Sequence, residues 1–164
     1  MWRELLELKD FRERQAQTAL QRRRSELALA QAALERALAR LQQHRELART
    51  HERSLYDGLM RRTVRLRDIE DVQHSVAALR QAEQRLQLDS VQAEGSRGQA
   101  QQATREALAR HRRSERAKEK FVQLASLHHA ELLREAERAE DLEMEEVAAL
   151  RRDREDWGAA EDGS

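Results

Sequence analysis

Leu20, Leu27, Leu34, Leu41 and Leu55 recur at intervals of seven, with Ala48 in the one gap between them. A sevenfold line of this kind is one narrow apolar stripe on a helix, and it is buried only when another helix lies along it. The pattern restarts further on with Ile69 and Val76, and with Val72, Leu79 and Leu86. Ala93, Ala100 and Ala107 then continue the line from Val72. Two long helices packed along one seam are the simplest structure that satisfies both lines. The composition supports this, because the 164 residues include no proline, no cysteine, only 3% aromatic residues and 38% charged ones. Ala, Glu, Leu, Arg and Gln dominate, all of them good helix formers. So few aromatics cannot fill a deep core or line a roomy apolar pocket.

Between the two patterned stretches the sequence signals a reversal. Asp57-Gly58 reads as a stop, because glycine enters the left-handed conformation that ends a helix without steric cost. Asp68 reads as the next N-cap, with Glu70 and Asp71 placing negative charge in the first turn, where the helix dipole favours it. The expected fold is therefore all-α: an elongated two-helix antiparallel coiled-coil hairpin forming one domain over 1–164. Helix 1 is expected over about 2–57, the turn over 58–67, helix 2 over 68–157 and a disordered tail over 158–164. Gly95 and Gly98 oppose a continuous second helix, since each costs about 1 kcal/mol in a helix interior, and a turn at 94–98 is the alternative. A reversal centred near residue 62 sets Leu27 opposite Arg97 and Gly98, where small residues would permit close packing and a kink. It sets Val76 and Leu79 opposite Ala48 and Arg45, which are too ill-suited to cover them fully. It also leaves the stripe Phe121, Leu124, Leu127, Leu132, Met144, Val147 and Leu150 without a partner in the chain, which implies a partner protein or self-association.

The formal net charge of zero conceals a gradient. Residues 1–67 carry 16 Lys/Arg against 9 Asp/Glu, or +7; residues 68–130 carry 10 against 9, or +1; residues 131–164 carry 5 against 13, or −8. Folding back brings the basic arm toward the acidic one, a weak preference because exposed pairs contribute only about 0.2–1 kcal/mol each.

Other function classes find little support. No phosphate loop, nucleophile elbow, zinc spacing or EF-hand loop is present, so no enzyme activity, cofactor or metal is expected. His128-His129 directs two rings to different helix faces, His44 and His51 lack a third ligand, and Glu70/His74 reads as a helix-surface pair. Arg22-Arg23-Arg24, Arg61-Arg62 and Arg112-Arg113 have acids within a turn or two, which argues against nucleic acid as partner. No run approaches the roughly 20 apolar residues of a membrane span, and Met1-Trp2-Arg3-Glu4-Leu5-Leu6-Glu7-Leu8 is too acidic for a secretory signal. The expectation is a protein kept inside the cell, without membrane insertion.

Three stretches carry a family resemblance. They are Leu5-Leu6-Glu7-Leu8-Lys9 with the Arg/Ala-rich helix after it; Leu55-Tyr56-Asp57 through Asp68-Ile69-Glu70 to Val76-Ala77-Ala78-Leu79-Arg80; and Lys118-Glu119-Lys120-Phe121-Val122-Gln123-Leu124 before an acidic tail. In these the chain resembles the YscO family of type III secretion stalk proteins and, more distantly, flagellar FliJ. The resemblance implies a non-enzymatic cytoplasmic component, peripheral to the secretion apparatus at the inner membrane. It would look like the central stalk of a rotary ATPase, couple the hexameric secretion ATPase to the export gate, and bind export chaperones. It further implies gate binding on Val72, Val76 and Leu79, while the stalk analogy places ATPase or chaperone binding on Leu5, Leu8, Phe121 and Leu124. Val76 and Leu79 fit the internal seam equally well. A generic coiled-coil scaffold or cytoskeletal adaptor in another assembly is the alternative.

Overall fold

A computed structural model describes the chain through residue 161. Two helices account for nearly all of it, α1 (Trp2–Met60) and α2 (Leu66–Glu161). There is no strand among the described residues, and the architecture is the all-α two-helix hairpin that the sevenfold lines require. The chain divides into two compact units, Arg14–Arg113 on one hand and Met1–Glu13 with Ser114–Ser164 on the other.

The Arg14–Arg113 unit holds the reversal. α1 runs through Gly58 to Met60, and no glycine or other described residue takes a positive φ. Asp57-Gly58 is therefore not the stop: a single glycine costs a helix about 1 kcal/mol, less than continued hydrogen bonding returns. α2 begins at Leu66, two residues before the expected N-cap. Asp68 acts from the third helical position instead. Its Oδ2 accepts from the Arg65 N–H at 2.9 Å while its own N–H donates to the Arg65 carbonyl at 3.0 Å, the backward half of a capping box.

Antiparallel pairing in this unit is fixed by polar contacts between the helices. Arg45 Nε donates to Glu83 Oε1 at 2.7 Å, the His44 ring donates from Nε2 to the Leu79 carbonyl at 3.0 Å, and Thr104 Oγ1 donates to the Arg23 carbonyl at 3.1 Å. These pairs lie within about four residues of the register expected for a turn centred near residue 62, and His44–Leu79 lies within one residue of it. The seam is thin: Leu20, Ala37 and Leu41 of α1 and Val76 and Ala107 of α2 are its buried residues, while Leu27, Leu34 and Leu55 are half-buried. On α2 the less exposed positions follow strict three-four spacing through Val72, Val76, Leu79, Glu83, Leu86, Ser90, Ala93, Arg97, Ala100, Thr104 and Ala107. This spacing runs through Gly95 and Gly98, and the helix is unbroken there. The close packing expected at Gly98 is absent, since a Cβ at Gly95 or Gly98 would meet nothing within 4 Å. The seam position at that level belongs to Arg97, whose guanidinium pairs with Glu94 and reaches Gln101.

In the other unit the start of α1 lies along α2 beyond Ser114. Lys118 Nζ donates to Glu13 Oε2 at 2.7 Å and lies 2.8 Å from Asp10 Oδ1. Trp2 stacks in a tilted arrangement on Phe121, ring centroids 5.2 Å apart, and on His128 at 5.4 Å. Past Ala130 every residue whose burial is described is exposed, Leu132, Met144, Val147 and Leu150 included. α2 continues to Glu161, so 158–161 are helical rather than disordered, in keeping with a chain that has no proline to stop the helix. The rest of the expected disordered tail, 162–164, lies outside the described residues.

Candidate functional site

Both sets of residues expected to bind partners include exposed apolar side chains or their half-buried neighbours. The two expected surfaces fall in different units and differ in character.

Val72, Val76 and Leu79 follow each other at four- and three-residue spacing on one face of α2, the face turned to α1. Val76 is only 6% exposed. The expectation that it stays partly accessible is therefore incorrect; Tyr56 lines a groove with it, together with Gln73, Ala77 and Arg80. Val76 is a packing residue. Val72 and Leu79 are half-buried, and Ile69, one turn earlier, is exposed, a residue that sequence reasoning had placed in the seam. The Leu79 carbonyl accepts from His44, so the backbone of this strip is tied to α1.

Leu5, Leu8, Phe121 and Leu124 all belong to the other unit. Leu5 and Leu8 are exposed, Leu124 is 57% exposed, and Phe121 is half-buried under Trp2. Trp2 was missed by sequence reasoning. Its signal was available, since aromatics are scarce in this chain and a reversal near residue 62 sets residue 2 opposite Phe121–Val122. Beside the aromatic pair, Lys118 between Asp10 and Glu13 fastens the first turns of α1 to α2. Asp10 first and Glu13 second hold this ammonium above the usual lysine range, against a smaller opposing effect of burial.

His74 Nδ1 lies 2.7 Å from the Glu70 carbonyl, so the expected side-chain pair is a ring-to-backbone bond. His128 serves as a ring neighbour of Trp2. No helix of the described residues is long and apolar enough to cross a membrane.

Two long helices paired along a thin apolar seam, with ion pairs between them, define the class of coiled-coil hairpin proteins. Comparison with known proteins gives the family. The profile of the type III secretion protein YscO family matches residues 2–150, and the chain belongs to that family. The crystal structure of type III secretion protein YscO from Vibrio parahaemolyticus is similar, with 27% sequence identity and a TM-score of 0.78, over 89% of this chain and 92% of that one. A search of curated proteins returned no match.

Proposed function

We propose that this chain is a non-enzymatic central-stalk component of a type III secretion export apparatus, one that couples the hexameric secretion ATPase to the export gate and binds export chaperones. The observation that supports this beyond family membership is α2 past Ala130. A long charged helix that leaves Leu132, Leu133, Leu142, Met144, Val147 and Leu150 exposed is stable in water but offers a row of anchors at helical spacing, the mode by which a helix binds in a groove of a partner. In this reading the ATPase or chaperones meet Leu5, Leu8, Phe121 and Leu124, with Trp2 added to that surface. The gate meets Val72 and Leu79, with Ile69 extending the strip and Val76 supporting it from beneath. The place of action is the cytoplasmic side of the apparatus.

The test separates surface from support. Substituting Val72→Ser and Leu79→Ser together should remove gate binding and secretion while helicity and ATPase binding stay near the parent values. Val76→Ala should lower the melting temperature first, since it opens a buried site. If the Val72/Leu79 variant loses helicity in parallel with gate binding, the strip is packing alone and the gate assignment fails.

A further inference from the structure

The reversal carries a feature that neither the seam nor the two partner surfaces uses. From Gly58 to Arg67 the chain has four arginines, Arg61, Arg62, Arg65 and Arg67, and no acid. Apolar side chains alternate with them. Met60 is 87% exposed, Leu66 74% exposed, and Val64 also faces solvent. Arg62 lies 3.9 Å from Asp68, whose carboxylate also takes the Arg65 backbone N–H, and Asp57, Glu70 and Asp71 flank the stretch, but among the described residues no carboxylate pairs with the guanidinium group of Arg61, Arg65 or Arg67. Two large apolar residues standing in water at a chain reversal stabilise nothing within the fold. Their interleaving with guanidinium groups is the composition of a surface suited to the boundary between lipid headgroups and acyl chains.

We propose that this reversal, Met60–Arg67, is a docking tip for an anionic phospholipid bilayer. The arginines meet headgroup phosphates, for which the planar guanidinium is the best-suited side chain because it donates two parallel hydrogen bonds. Met60, Val64 and Leu66 enter the layer just below the headgroups. This is contact at the interface and needs no spanning segment. An acidic protein surface would satisfy the arginines, but it offers nothing to Met60 and Leu66 on the outermost turn; a bilayer satisfies both at once. The tip does not rest on the stalk reading and is testable with the isolated chain.

The experiment is flotation of the full chain with phosphatidylcholine vesicles, with and without phosphatidylglycerol. Binding should require the anionic lipid and weaken as salt rises. Arg61→Gln, Arg65→Gln and Arg67→Gln together should weaken it roughly a hundredfold, at about fivefold per arginine. Met60→Ser with Leu66→Ser should weaken it about tenfold at unchanged salt dependence. Both variants alter exposed residues, so circular dichroism should match the parent. A Val64→Trp variant gives a readout of depth: its emission, after subtraction of the parent's Trp2 and Trp157, should shift to the blue on anionic vesicles. Binding indifferent to lipid charge, binding retained by the triple arginine variant, or an unshifted tryptophan would overturn the proposal. So would binding to poly-glutamate without binding to vesicles, which would assign the tip to an acidic protein partner.

Discussion

At the scale of single residues, a thin seam makes position decisive. Leu41 is buried whereas Leu29, on the same helix, is 69% exposed, although both are leucines in an Ala-rich stretch. Leu41→Ala should therefore cost about 2–4 kcal/mol, toward the lower half of the range for buried leucines because two helices enclose a side chain incompletely, while Leu29→Ala should change stability by less than about 0.5 kcal/mol. Thermal melts of the two variants check this. Lys118 gives a pH prediction. Its pKa is raised in the folded state by Asp10 and Glu13, so the stability it contributes is fully present below the ordinary lysine value of 10.5 and is lost as pH rises through the higher folded value. Lys118→Met should abolish that alkaline loss, leaving a flatter stability profile above pH 10.5 than the parent shows. Residues of this kind were hard to find in the sequence. Lys118 looks like any lysine in a charged helix until the register sets it between two acids of the other helix, and Trp2 looks like an exposed terminal aromatic until Phe121 and His128 are beneath it.

At the scale of elements, the two helices were legible because a sevenfold apolar line is an averaged property of many residues, which no single exception destroys. Their ends were less legible because each depends on one or two residues. Gly58 reads as a stop by residue type, yet α1 passes through it, and Asp68 reads as an N-cap yet caps backward from the third helical position. The reversal at 61–65 lies inside the expected 58–67, yet Val76 is buried where partial exposure was expected. The glycines of α2 show the same limit from the other side. Gly95 and Gly98 suggest a turn, but they are helical, have no positive φ, and have open space where a side chain would stand. Their presence is explained neither by close packing nor by backbone strain. Gly95→Ala and Gly98→Ala should each stabilise the protein by roughly 0.5–1 kcal/mol, visible as a higher melting temperature. A loss of stability in either variant would mean that α2 is not a plain helix at that level.

At the scale of the whole molecule, the chain is a YscO-family type III secretion protein built from two antiparallel helices, with apolar surface distributed over both of its units instead of gathered into a core. The family was readable from three short stretches because those stretches combine seam positions with the residues around the reversal. Which partner meets which strip was not readable, since an amphipathic strip specifies spacing and hydrophobicity but not the identity of the groove that receives it. A stalk for the secretion ATPase would engage the assembled ring, so the proposed role is tested by the affinity and stoichiometry of the purified chain with the assembled hexameric ATPase of the same system. Saturable binding of one chain per hexamer is expected, weakened about tenfold or more by Leu5→Ser with Leu124→Ser at unchanged helicity. Absence of binding to the assembled ring, binding of one chain to every ATPase subunit, or full affinity in that variant would contradict it.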